Sequence, residues 1–197
     1  MLLYKHIYVK DVLIMNIVLA SASPRRQELL KHIFDEFRVV PSDADETLPK
    51  GISSASAAEY LARVKAESVA ESENGLVIGC DTVVVIDDMI LGKPTDRTDC
   101  FNMLKRLSGR KHFVYTGVCI IYNNSTVSFT EKTDVEFYEL SDDEINAYMD
   151  TNEPFDKAGG YGIQGKGSLL VKGICGDYFN VVGLPVSALY RKIKEII

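Results

Sequence analysis

Four stretches of the chain gather side chains suited to phosphate or acid–base chemistry. The first, Ser21-Ala22-Ser23-Pro24-Arg25-Arg26, follows a short apolar run and opens a helical pattern. N–H groups at a helix start attract anions, and planar guanidinium forks match phosphate oxygens. A capped surface helix with solvated arginines is the plain alternative. In the second stretch, LVIGCDTVVVIDDMILGK (76–93), Asp81 and Thr82 interrupt an otherwise apolar strand. A carboxylate there must be hydrogen-bonded, paired or bound to a cation. Asp81 could hold a Mg²⁺-type ion, orient a water, act as a base, or be structural. Lys93 and Asp96 follow on a loop. Asp87-Asp88 reads as a hairpin turn.

The third stretch, DKAGGYGIQGKG (156–167), holds glycines at 159, 160, 162, 165 and 167. Glycines let a backbone approach a ligand closely. Gln164 among them can both donate to and accept from a base edge. Lys157 and Lys166 could reach phosphates; a tight turn connection is the alternative. Gly160 to Lys166 matches GxxxxGK, but Gly167 replaces the required Ser or Thr and a strand-like run follows, so it is no Walker A loop. The fourth stretch is the acidic loop Ser42 to Thr47. Its Glu46 becomes a metal candidate if the loop faces Asp81. Lys65 lies within a helical pattern and by default is an exposed helical lysine.

The elements that would position these groups alternate between strand and helix. Strands are expected over 17–20, 76–86, 112–122, 126–140, 168–175 and 178–182. The segment 123–125 joins two of them as a hairpin. Ser23 should cap a helix over 24–33, with Pro24 at its first position. Ser56 and Glu59 form an S-x-x-E box for a helix to Ala70, and Ser141 and Glu144 form another for a helix to Met149. Helices are also expected over 99–107 and 185–197. This order implies an α/β fold with a mixed sheet.

The 197 residues suit one domain. With 28 Asp+Glu against 22 Lys+Arg the net charge is −6, which argues against nucleic acid or anionic membrane as a default partner. No apolar run is long enough to span a membrane, so a cytoplasmic protein is expected. His6, His32 and His112 share no metal-ligand spacing, and Cys80, Cys100, Cys119 and Cys175 read as buried free thiols. Ser-His-Asp catalysis is therefore a poor candidate. Residues 1–14 read as an extension outside a core domain over 15–197, with Met15 as a second plausible start.

The segments LASASPRRQELL, SDADE, LARVKAESV, GCDTVVV, LGKPTD, TDVEFYELSDDEI, DKAGGYGIQGKG and NVVGLPV, in that order, resemble the Maf family of nucleoside triphosphate pyrophosphatases. The resemblance implies an elongated mixed sheet flanked by helices, with two lobes and a central cleft, similar to inosine triphosphate pyrophosphatases. It implies cleavage between the α and β phosphates, a divalent cation (Mg or Mn), and a homodimer. Carried over by motif, Asp81 is the proton acceptor. Arg25, Thr82 and Gln164 match the branch acting on dTTP and UTP rather than the 7-methyl-GTP branch, which has Trp, Gln and Glu there. Ser21, Ser23, Arg26, Glu46, Lys65, Lys93 and Asp96 fall at phosphate and metal positions, with Glu46 and Asp81 as metal ligands. A nucleotide-sensing regulator of septum formation is the rival from another class.

Overall fold

The computed structural model describes residues 15–197; the extension expected at 1–14 lies outside the described residues. The long apolar run becomes the spine of the fold. This strand, β3 (Leu76–Ile86), is buried along its length except at Thr82, as a strand covered on both faces should be. One edge of β3 pairs antiparallel with β5 (Lys111–Tyr122) from Val77 to Val85. The other edge is shared. β1 (Ile17–Ala20) runs parallel to Leu76–Gly79, and β4 (Met89–Leu91) runs antiparallel to Val84–Ile86. Residues 80–83 are left without a strand partner on that edge. β2 (Arg38–Val39) extends the sheet beyond β1, and β6 (Ser125–Phe137) and β7 (Val171–Cys175) extend it beyond β5. The mixed seven-stranded order is β2-β1-β3-β5-β6-β7, with β4 beside β3.

α2 (Ser54–Ala70) covers one face of the sheet, packing Ala62, Ala66 and Val69 on Val18, Val77 and Cys119. Two glycines set its depth. A Cβ added to Gly79 would lie 2.2 Å from the Ala62 carbonyl oxygen, and one on Gly117 would lie 2.2 Å from the Ala58 backbone. The opposite face is divided into two lobes. α1 (Pro24–Leu30), α5 (Tyr178–Val182) and α6 (Val186–Ile196) pack on Leu19, Ile78, Cys80 and Val118. α3 (Arg97–Leu107) and α4 (Asp142–Met149) pack on Val84, Ile86, Val114 and Val135. Strand alternation places Thr82 between Cys80 and Val84, on the boundary of the lobes. Thr116, Thr133 and Asn180 are buried beside that boundary and make a polar seam: the Asn180 Nδ2 donates to Val114 O at 3.1 Å and to Thr133 Oγ1 at 2.9 Å.

The Ser141–Glu144 capping box and the Asp87-Asp88 turn are present as expected. Asp87 and Asp88 both take positive φ, as do Asn123 and Asn124, the conformation of a two-residue hairpin that matches strand twist. Ser125 is thus already in β6. Several other expectations need correction. α2 starts earlier than the Ser56 box implied, because Ser53 caps it by accepting from Ser56 N; Glu59 instead accepts from Ser128 and Thr130 across the sheet. Residues 178–182 are helical, not extended, since Asp177 caps the Phe179 N–H and Gly183 ends the turn at φ 127. Residues 165–170 form a 3₁₀ turn, and the strand begins only at Val171. α1 ends at Leu30 rather than residue 33, and Cys175 is exposed rather than buried.

Candidate active site

A cleft of about 940 Å³ opens where β3 lacks an edge partner. The missing strand exposes both faces of β3 to one cavity, so Asp81 and Thr82 line it together although they point to opposite faces. This is the carboxyl end of β1, the place where open α/β sheets bind ligands.

On the α2 face, the Lys65 Nζ lies 2.5 Å from Asp81 Oδ1 and 3.0 Å from Glu46 Oε2. The close approach that Gly79 and Gly117 permit brings Lys65 within reach of β3. Lys65 is therefore not the solvated helical lysine of the plain reading: its side chain is 12% exposed. The acidic loop does face Asp81, with the ammonium between them. Two carboxylates converging on one cation, beside room for phosphate and water oxygens, are a donor set that suits a Mg²⁺-type ion. No group of three or more His, Cys, Asp or Glu stands at ligating distance among the described residues, so substrate and water would complete such a shell.

On the lobed face, Arg26 is held at three points. Its Nε donates to Gly183 O at 3.0 Å, Nη1 to Ser21 Oγ at 3.2 Å and Nη2 to Thr82 Oγ1 at 3.1 Å. Thr82 is 3.0 Å from Thr116 Oγ1, which donates to Asn180 O at 2.9 Å. Ser21 Oγ also accepts from Ser23 N at 3.3 Å, which shapes the turn into α1. Ser23 stands at the N-cap position of α1 but makes no side-chain cap bond. Cys80, beneath Arg26, donates to Gly183 O, and burial pushes its thiol up to about 11. It is a neutral wall group at pH 7 rather than a nucleophile.

Across the mouth of the cleft, Arg25 Nη1 pairs with Asp156 Oδ2 at 3.1 Å, linking α1 to the 3₁₀ turn Glu153–Asp156. Lys157 Nζ lies 2.5 Å from Asp156 Oδ1 and also donates to the Glu153 carbonyl. Burial raises the Asp156 pKa, but the hydrogen bonds from Lys157 and Arg25 outweigh it and hold the carboxyl below its usual range. Lys93 and Gln164 line the cleft and are exposed.

Eleven of the sequence-derived candidates thus share one cavity: Ser21, Ser23, Arg25, Arg26, Glu46, Lys65, Asp81, Thr82, Lys93, Lys157 and Gln164. Two do not line it. Asp96 caps α3, accepting from Asp99 N at 2.8 Å, which is the ordinary work of an Asp before a helix. Lys166 is exposed outside the lining, and its backbone N–H is bonded to Glu153. The sequence reading missed Thr116, Asn180, Asp156 and Glu153. The first two look like ordinary strand and helix polar residues. The last two are acidic residues in the stretch ahead of the glycines, with no spacing to mark them.

A model of the family described as "Maf-like protein" matches residues 16–196. A dTTP/UTP pyrophosphatase of Carboxydothermus hydrogenoformans is 51% identical over 184 residues, covering 92% of this chain and 98% of that one. One from Clostridium novyi is 50% identical over 182 residues, covering 90% and 95%. One from Bacillus anthracis is 48% identical over 181 residues, covering 91% and 95%. Among solved structures, a nucleoside-triphosphatase (dITP/XTP pyrophosphatase) of Mycobacterium abscessus is 12% identical with a TM-score of 0.48, covering 93% of this chain and 98% of that one. No helix among the described residues is long and apolar enough to cross a membrane. A family model that spans nearly the whole described chain, and half-identity to such relatives, establish that this chain belongs to the Maf-like protein family.

Proposed function

We infer that the chain is a nucleoside triphosphate pyrophosphatase that hydrolyses dTTP and UTP between the α and β phosphates, giving the nucleoside monophosphate and pyrophosphate. The Asp81–Lys65–Glu46 set carries the reading, standing in one cleft with Arg25, Arg26 and Lys93. It is supported by half-identity to relatives named for that activity.

Asp81 is the proton acceptor. Lys65 holds its Oδ1 at 2.5 Å, which fixes the direction in which the carboxylate faces the cleft. Water attacks the α phosphorus and gives a proton to Asp81. The bond from that phosphorus to the bridging oxygen breaks, and pyrophosphate leaves with the electron pair. Negative charge grows on the phosphate oxygens, and Arg26, Lys93, Arg25 and Lys157 stabilise it. Arg26 contributes most by preorganisation, since its three protein bonds fix the guanidinium before substrate arrives. Arg25 and Lys157 must leave Asp156 to meet a triphosphate. Opening the Arg25–Asp156 pair costs about 0–1 kcal/mol, and the mostly buried Lys157, which also gives up its bond to the Glu153 carbonyl, costs more; the more highly charged phosphates offset both. A divalent cation, Mg²⁺ or Mn²⁺, held by Asp81 and Glu46, would add charge neutralisation at the phosphates. Gln164 offers one acceptor and one donor to the O4/N3–H edge of uracil or thymine. On this reading the protein acts in the cytoplasm on free nucleotides rather than nucleic acid or membrane, and as a homodimer.

The test is pyrophosphate release from UTP, dTTP, CTP, GTP and 7-methyl-GTP with Mg²⁺ or Mn²⁺. The highest kcat/KM is expected for dTTP and UTP. A clear preference for 7-methyl-GTP would overturn the base assignment, and no release from any nucleotide would overturn the activity.

A further inference from the structure

Glu153 lines the cleft, yet the mechanism above gives it no work. It has no ion-pair partner among the described residues. Its carboxylate accepts backbone N–H groups instead: Lys166 N at 3.1 Å from Oε1 and 3.0 Å from Oε2, and Gly167 N at 3.3 Å from Oε2. These amides belong to the 3₁₀ turn over 165–170, which begins directly after Gln164.

The surrounding glycines are fitted to this contact. Gly165 sits at φ +62, and a Cβ there would fall 2.8 Å from Glu153 Oε1. A Cβ on Gly167 would meet Gly162 O at 2.2 Å and the Tyr148 hydroxyl at 2.7 Å. On the other flank, the Tyr148 hydroxyl accepts the Gly162 N–H at 3.3 Å. The backbone is therefore pinned on both sides of Gln164, at 162 and at 166–167. The Gln164 amide itself makes no hydrogen bond among the described residues. A free amide can turn over and present either pattern to a base, so the amide alone does not separate uracil from cytosine; the depth at which the backbone places it separates a pyrimidine from the larger purine.

We propose that Glu153 is the positioning residue for base selection: its carboxylate clamps the 165–167 turn and so fixes the depth at which Gln164 meets the base. The proposal rests on the dTTP/UTP reading above. It assigns Glu153 no contact with phosphate, cation or attacking water.

The test is Glu153→Gln, which keeps the side-chain shape but sets an NH₂ donor against backbone N–H donors. Losing a charged hydrogen-bond clamp should raise KM for UTP and dTTP about 10- to 100-fold. kcat should fall far less, because base contacts are made equally in ground and transition states. The UTP to GTP preference should shrink. In the double variant with Gln164→Ala the two effects should not multiply, since one residue acts through the other. Loss of kcat at unchanged KM, or multiplying effects, would overturn the proposal. Hydrogen exchange at the Lys166 and Gly167 amides reads the clamp without catalysis and should quicken in Glu153→Gln; unchanged exchange overturns the clamp. A wild-type protein inert toward UTP and dTTP, with quickened exchange in the variant, would instead refute the dTTP/UTP reading and leave the clamp standing. Gly165→Ala presses on the same carboxylate from the other side and should reproduce the KM shift if Glu153→Gln does not fold.

Discussion

Thr82→Val cuts one side-chain chain in the middle at almost constant volume. The bond directions in that chain are fixed. Thr116 donates to the Asn180 carbonyl, so across the 3.0 Å contact the Thr82 hydroxyl must be the donor and Thr116 the acceptor. Thr82 Oγ1 in turn accepts from Arg26 Nη2 at 3.1 Å. Valine leaves one guanidinium N–H and one buried Thr116 lone pair unmatched. A hydrogen bond to a charged group contributes about 1.5–3 kcal/mol and a neutral one about 0.5–1.5 kcal/mol. Thr82 borders the cleft, so water replaces part of the first; Thr116 is fully buried, so the second is lost. The sum is a stability loss of about 1–3 kcal/mol, or roughly 2–4 °C in Tm for each kcal/mol in a chain of this size. Arg26 keeps its bonds to Gly183 and Ser21, so it loosens without leaving. Because stabilisation by a preorganised donor depends on that fixity, kcat/KM for UTP should fall about 10- to 100-fold. Thr116→Val breaks the same chain one link from the cleft and should cost similar stability with less activity. Steady-state kinetics with thermal melting decides the matter: a Thr82→Val protein matching wild type in both would refute the coupling.

Asp81→Asn should keep the fold while lowering kcat by about 10²–10⁴, the usual worth of a positioned base; full activity in a well-folded variant removes Asp81 from the reaction. Gly117→Ala should lower both Tm and kcat, by about 1–3 kcal/mol or more in stability, because its Cβ would push α2 and Lys65 away from β3. Unchanged melting would show that the close approach is not needed. His112 is fully buried and burial lowers its pKa from 6.5 to about 4. Its stabilising contribution is whole above pH 6.5 and is lost as pH falls toward 4, since the unfolded chain takes the proton first. At about 1.4 kcal/mol per pH unit this reaches roughly 3 kcal/mol. Denaturant melts from pH 7 to pH 4 should show it, and His112→Gln should flatten that slope; an equal slope in the variant would refute the assignment.

Much of this site was legible in the chain because polar residues stood where polarity is costly. Asp81 and Thr82 break an apolar strand, and that marked β3 as a candidate wall of a site before the family resemblance added a cleft. Boundaries governed by caps were harder to read. Ser53 and Ser56 both stand ahead of α2, and the S-x-x-E spacing favoured Ser56; what decided otherwise was Glu59, whose partners Ser128 and Thr130 lie on β6, far along the chain. Tyr178–Val182 has strand composition but is helical because Asp177 and Gly183 bracket it. Lys65 had no local mark of function, since its burial depends on glycines on two other elements, Gly79 in β3 and Gly117 in β5. Glu153 and Asp156 were illegible for a similar reason: one is defined by amides thirteen and fourteen residues on, the other by an arginine on the opposite lobe.

Asp81 and Thr82 also show why the sheet must be interrupted. Successive residues of a strand face opposite sides, so in an unbroken sheet they would lie in separate layers, one under α2 and one between the lobes. β1 covers the edge of β3 as far as Gly79, and β4 resumes only at Val84. The gap is what allows a single substrate to touch both layers. The pairing partners then divide the labour. Asp81 takes its cation from α2, through Lys65, and Thr82 supports a cation from α1, through Arg26. One face thus supplies the carboxylate proposed as proton acceptor and the other a fixed guanidinium, on the two sides of one strand. An added residue pair that extended β1 along β3 would close the gap while leaving every candidate side chain present, and it would separate the base from the phosphate-binding cations. By this argument the length of β1 is as much a part of the site as Asp81.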